Sequence, residues 1–108
     1  MAFLAIVDKM GIAPQIKVKA KPVASGEDVN ANITSGAADL AVLPVSEILP
    51  VKGAELGGVF PAEVQTYVVM AAGVSAKTQG NAANEFVSFL MSPANDAVVK
   101  VKGMERLP

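Results

Sequence analysis

Short apolar runs bounded by proline or glycine alternate along this chain with stretches that carry helix-start and helix-stop residues. Residues 38–43 are almost wholly apolar and end at Pro44, residues 54–60 give another short run, and residues 66–73 are rich in valine. Residues 15–23 alternate apolar side chains with lysines, the period-two pattern of a strand with one solvated face. Apolar runs of this kind are typical of strands covered on both faces. The order predicts an α/β fold with a mixed sheet flanked by helices.

The local sequence also predicts the positions of five helices. They cover residues 1–10, 25–33, 45–49, 81–91 and 94–102. Ser25 with Asp28 three residues later approximates a capping box, and Ser92 followed by Pro93 is a second helix start. Three of the predicted helices are followed by a stop glycine: Gly11, Gly36 and Gly103.

The hydrophobic residues are small ones, which limits the core. They make up 52% of the 108 residues, whereas aromatic residues make up 5%. Phe86, Phe89 and Leu90 share one stripe of the fourth helix, and we expect this stripe to face the core. A chain of this size and composition buries only a modest core. If upstream strands are missing, we expect another chain to cover part of its apolar surface.

The residue inventory excludes several classes of function. The chain contains no histidine and no cysteine, which excludes zinc sites of the usual type and Ser-His-Asp catalysis. Its formal charge of -1 and its lack of a basic block argue against nucleic acid as a partner. No phosphate-binding or dinucleotide-binding motif appears, so we expect no cofactor. No apolar run is long enough for membrane insertion, and no signal peptide is recognisable.

Few residues qualify as catalytic groups. Ser75 and Lys77 resemble a serine–lysine pair, but they lie two residues apart without the supporting motifs. The acids Glu47 and Glu63 are isolated, and we interpret them as turn or cap residues. An acyl- or phosphoryl-transfer enzyme using Ser46 or Ser75 is therefore disfavoured, and we expect a protein that is not an enzyme.

Several segments, in their order and spacing, resemble the molybdate-binding type of periplasmic solute-binding protein that serves ABC transporters. These segments are residues 26–29 (GEDV), 35–42 (SGAADLAV), 46–51 (SEILPV), 60–65 (FPAEVQ), 86–93 (FVSFLMSP) and 101–104 (VKGM). The resemblance covers nearly the whole chain. It implies a partial periplasmic-binding-protein-like fold of type II, from which the N-terminal lobe segment of the family is missing.

The resemblance also implies a division of the chain. Residues 1–60 correspond to an α/β segment of the second lobe, residues 61–65 to a hinge-like break, and residues 66–108 to a strand and two C-terminal helices of the first lobe. In the full-length parent, which the resemblance places in the periplasm, the two lobes close on a ligand and deliver it to the permease of an ABC transporter.

The implied function is solute binding without catalysis. The ligand would be a small molecule such as an oxyanion, held by backbone amides in the cleft between the lobes. The candidate ligand-binding residues are Asp28, Val29, Pro44, Val45 and Ser46. Val29 matches a position that offers its amide, and Ser46 is the nearest hydroxyl donor. Pro44 stands where molybdate binders have tyrosine, which argues against specificity for molybdate.

A second hypothesis belongs to a different functional class. The chain would bind no solute and would act as a self-associating domain derived from such a protein. In either case lobes that lack strands are expected to pair between copies, so the sequence predicts a homodimer.

Overall fold

The structure, a computed structural model, describes residues 2–107, so Met1 at the start of the first predicted helix lies outside the described residues. The helical segments in chain order are α1 (Ala2–Lys9), α2 (Ala13–Lys17), α3 (Gly26–Thr34), α4 (Val45–Ile48), α5 (Ala82–Leu90), a 3-10 turn (Pro93–Asn95) and α6 (Asp96–Val101). The chain divides into two units, one that ends at Tyr67 and one that begins at Val68.

The predicted α/β fold with a mixed sheet is wrong, because residues 2–107 contain no β-strand. Residues 38–43, 54–60 and 66–73 remain irregular. A strand exists only beside another strand, about 4.7–4.9 Å away, that completes its backbone hydrogen bonds. A valine-rich sequence shows that a segment suits such a ladder, but it does not supply the neighbour. The sheet expected from the periplasmic-binding-protein-like fold is therefore absent from the described chain.

Residues 15–23 also differ from the prediction, since part of this segment is helical. Pro14 lies in the first turn of α2, where a proline without an amide hydrogen is well tolerated. Ala13 of this helix is buried, whereas Val18 is exposed. The alternation of lysines and apolar residues therefore does not mark a strand with one buried face.

The predicted helix ends are confirmed at the stop glycines. Gly11 has a φ of 72°, a left-handed conformation that glycine adopts without the cost of a Cβ clash. Its amide donates to the carbonyl of Asp8 (3.1 Å), and the amide of Ile12 donates to the carbonyl of Val7 (3.0 Å). These two bonds form a Schellman motif that satisfies the last carbonyls of α1. Gly103 closes α6 in the same way, with a φ of 75°.

The first unit has a small core built around α1 and α2. Its buried hydrophobic residues are Ile6, Val7 and Ala13. The rings of Phe3 and Phe60 stack with their centroids 6.2 Å apart and an angle of 12° between planes. Burial of aliphatic side chains is the main source of folding stability, so this unit depends on few residues.

The second unit contains α5, the 3-10 turn and α6. Ser92 begins the 3-10 turn as predicted, and its Oγ accepts a hydrogen bond from the amide of Ala94 (3.3 Å). The α5 stripe expected in the core is instead exposed at Phe86, Phe89 and Leu90. The apolar face of α5 therefore has no cover within the described chain.

An ion pair ties the end of the second unit to α6. Nε of Arg106 donates to Oδ1 of Asp96 (2.8 Å), and Nη2 donates to Oδ2 (3.2 Å). The hydrogen bond from the guanidinium lowers the pKa of the Asp96 carboxyl, against the opposing effect of desolvation. The same bond raises the pKa of Arg106. This pairing holds the charged form of both groups.

Candidate functional site

The start of α3 is organised by Ser25, as the sequence predicted. Oγ of Ser25 accepts a hydrogen bond from the amide of Asp28 (3.1 Å), and the same hydroxyl donates to Oδ2 of Asp28 (2.8 Å). The cap fixes where the helix begins and satisfies one of the amides that a helix start leaves unpaired. The first turn of α3 therefore has a defined, capped start beside which a site can be built.

The amides of the candidate residues Asp28 and Val29 are both engaged within this helix start. The Asp28 amide bonds to Ser25 Oγ, and the Val29 amide donates to the Ser25 carbonyl (3.2 Å). The amides of Gly26 and Glu27 have no acceptor among residues 2–107. If α3 presents backbone donors to a ligand, these two amides are the ones available.

The other candidates lie at the start of α4. Pro44 is the residue before the helix, and its carbonyl accepts from the amides of Glu47 (2.9 Å) and Ile48 (3.3 Å). Val45 and Ser46 are half-buried. The Ser46 hydroxyl has no hydrogen-bond partner within the described part of the chain, so it remains available as a donor.

The structure brings α3 and α4 together at Gly26 and Glu47. A Cβ placed on Gly26 would overlap Oε2 of Glu47 and would lie 3.9 Å from Cδ2 of Leu43. The Glu47 carboxylate therefore packs directly on the backbone of the first turn of α3. The two segments proposed from the sequence, residues 25–29 and residues 44–46, are neighbours in space for this reason.

Glu47 is the residue that the sequence interpretation missed. It was assigned to a turn or cap of its own segment, and nothing in the sequence places it against α3. A weak signal was present at Gly26, because glycine inside a helix costs about 1 kcal/mol relative to alanine and its presence often marks a close contact. The sequence alone did not identify the contacting group.

The local charge at this helix start is negative. Glu27, Asp28 and Glu47 place three carboxylates near the first turn of α3. The ion pairs among residues 2–107 are Lys17 with Asp8 and Arg106 with Asp96, so no basic side chain pairs with these carboxylates. The favourable partner for an anion here is the backbone, whose free amides carry the positive end of the helix dipole.

A shallow cavity of about 170 Å³ lies elsewhere in the first unit. Its walls come from α1 and from the segment that follows Pro61; they are formed by Ala5, Ile6, Lys9, Glu63, Val64, Gln65 and Thr66. None of the five candidate ligand-binding residues lines it. The cavity and the α3 start are therefore separate features of the unit.

Residues 2–107 give little support for metal binding or for catalysis by Ser75. They contain no cluster of three or more acidic side chains arranged to hold a metal ion. Ser75 completes a local turn, since its Oγ accepts from the amide of Lys77 (3.2 Å). No helix among them has the length and apolar character needed to cross a membrane.

Comparison with known proteins identifies the family. A family model described as bacterial extracellular solute-binding protein matches residues 1–105, which is nearly the whole chain. Searches of curated proteins and of solved structures found no match. The family match agrees with the resemblance to solute-binding proteins seen in the sequence, and the chain belongs to the bacterial extracellular solute-binding protein family.

Proposed function

We propose that this chain belongs to the substrate-binding component of a bacterial ABC transporter and that it contacts a small solute without chemical conversion. The family match over residues 1–105 is the observation that carries this proposal. The family description also supports a periplasmic location for the full-length parent and a transporter permease as its partner. The lack of histidine and cysteine favours binding over catalysis.

The proposed contact site is the α3 start together with the first residues of α4, as one wall of the inter-lobe cleft that the resemblance implies. The Gly26 and Glu27 amides would bind an anionic group of the solute, and the Ser46 hydroxyl would donate a further hydrogen bond. Asp28, Val29, Pro44 and Val45 would hold these donors in place. Two neighbouring segments of the first unit then act on one ligand.

We propose a small oxyanion as the solute. The Glu47 carboxylate supports this choice, because it already places a negative group against the first turn of α3. Anions are stabilised at such a position by the helix dipole and by unpaired amides. A bound oxyanion would displace the Glu47 carboxylate and accept hydrogen bonds from the Gly26 and Glu27 amides.

A thermal-shift screen with molybdate, tungstate, sulfate and phosphate tests this proposal. A ligand at ten times its Kd stabilises the folded state by about 1.4 kcal/mol, which raises the Tm of a domain of this size by about 6–11 °C. Glu47→Gln removes the competing carboxylate charge and should increase the shift, whereas the control Glu55→Gln should leave it unchanged. Absence of any shift with all four anions contradicts oxyanion binding.

A second candidate function is that of a self-associating homodimeric domain that binds no solute. The exposed apolar side chains of the chain favour it, above all those of α5 and of residues 67–70. Light scattering at low protein concentration measures the oligomeric state directly. A dimer that responds to no anion would support this function over solute binding.

A further inference from the structure

The segment that joins the two units, residues 66–73, has an unusual surface; we call it the joining segment. Its largest side chains are consecutive and exposed: Tyr67 by 80%, Val68 by 74%, Val69 by 63% and Met70 by 79%. Soluble chains usually expose apolar residues singly, whereas contiguous exposed apolar stretches mark interaction sites. The joining segment is such a stretch.

Its backbone is also unpaired. From Tyr67 to Gly73 no backbone amide donates, and no carbonyl accepts, a hydrogen bond within residues 2–107. A row of unpaired backbone groups with β-branched and aromatic side chains is a template for strand pairing with another chain. The segment has no strand neighbour among residues 2–107, so strand pairing would require a segment of another chain.

The charge pattern favours an identical segment as the neighbour. No charged residue and no proline occurs between Glu63 and Lys77. Two copies of the segment therefore meet without like-charge repulsion, and no missing amide hydrogen interrupts the ladder. High β-propensity, low charge and absence of proline are the features of segments that pair with themselves.

The solvent-accessible surface of the chain is larger than compact units of these lengths would expose. Its accessible surface is 8861 Å². Two separate compact units of these lengths would together expose only about 6,700 Å², so the excess is about 2,100 Å². One partner in a stable complex buries about 800 Å². The excess therefore exceeds what one side of a dimer interface needs, whatever the arrangement of the two units.

We propose that the joining segment pairs with the joining segment of a second copy of this chain as antiparallel β-strands, around a two-fold axis that passes through the Val69 pair. Such an interface is closed, because each copy uses the same surface. A two-stranded ribbon alone is only marginally stable in water. The exposed apolar face of α5, in the same unit as Val68, supplies the further surface that covers the ribbon.

Single cysteines test the register, because the natural chain has none. The residue on the two-fold axis lies opposite its own copy, at a Cα separation of about 4.5–5.5 Å that a disulfide can bridge. Under mild oxidation, Val69→Cys should form covalent dimers at least ten times faster than Val68→Cys, whose two copies lie diagonally across the ladder, and than the control Val101→Cys, whose site in α6 is 76% exposed. Equal rates at the three positions would overturn the proposal.

A charge placed in the segment tests the pairing without any cross-link. In sedimentation velocity the natural chain should dimerise at micromolar concentration, and Val69→Lys should raise the dimer Kd at least tenfold with an unchanged far-ultraviolet helix signal. The control Leu40→Lys, at a site that is 77% exposed, should leave the Kd unchanged. A natural chain that stays monomeric at 100 µM, or that forms open fibrils instead of dimers, would refute the two-fold pair.

Discussion

The contact between Gly26 and Glu47 predicts a coupling energy between these two residues, which a double-mutant cycle can measure. Glu47→Ala removes an exposed carboxylate that lies against the first turn of α3, which should lower the free energy of unfolding by up to about 1 kcal/mol. Gly26→Ala adds a Cβ where Oε2 of Glu47 lies. The Glu47 side chain is flexible and can rotate away, so the main cost is the lost interaction and not a steric clash.

The magnitude follows from two opposing effects at Gly26. Alanine is favoured over glycine in a helix by up to about 1 kcal/mol, which offsets the lost carboxylate interaction of about 1 kcal/mol. Gly26→Ala should therefore change the stability of the natural chain little. In the Glu47→Ala background the interaction is already gone, so the same substitution should stabilise α3 by about 1 kcal/mol. The expected coupling energy is about 1 kcal/mol.

Urea unfolding, monitored by far-ultraviolet circular dichroism, measures the free energy of unfolding of the natural chain, the two single variants and the double variant. Gly57→Ala is the matched control, because nothing lies within 4 Å of a Cβ at that position. Its effect should add to that of Glu47→Ala within about 0.3–0.5 kcal/mol, as for independent sites. A coupling energy below about 0.3 kcal/mol between Gly26→Ala and Glu47→Ala would refute the contact.

Three other predictions concern stability. Ile6→Ala should cost about 2–5 kcal/mol in urea unfolding, whereas Val101→Ala on an exposed face should cost less than about 0.5 kcal/mol, and equal effects would contradict the assigned core. Gly11→Ala should cost about 1–2 kcal/mol, because alanine resists the left-handed conformation; a neutral effect would argue against the Schellman end of α1. Because the pKa of Asp96 is lowered by Arg106, the pair adds stability above the ordinary aspartate pKa and loses it as the pH falls through the lowered value. Arg106→Gln should raise the Asp96 midpoint in a carboxyl NMR titration, and an unchanged midpoint would contradict the ion pair.

The sequence predicted local structure well because the causes of helix ends are local. Ser25 caps α3 and Gly103 ends α6 through groups within a few residues, and both were identified from the residue type. The prediction of strands was wrong because a strand forms only when a partner segment, which can be distant in the sequence, pairs with it. Residues 66–73 carry a strand-like sequence, but nothing in the described chain pairs with them.

For the candidate site, as for the fold, the sequence predicted the local features but not the contacts between distant segments. The sequence proposed the α3 start and the α4 start as parts of a binding site, and the structure places these two segments side by side. It did not predict that Glu47 connects them, because that contact depends on the path of the irregular chain between Gly36 and Pro44. The sequence also predicted that the Val29 amide contacts the ligand, but this amide already donates a hydrogen bond to the Ser25 carbonyl.

Tyr67 has a practical consequence for solution work. It is the chain's single tyrosine, and the chain has no tryptophan. Ultraviolet fluorescence of the natural chain therefore arises almost entirely from one ring, which is exposed to water in the joining segment. Dilution series and titrations can follow the environment of that ring by its emission intensity, without a dye or an engineered label.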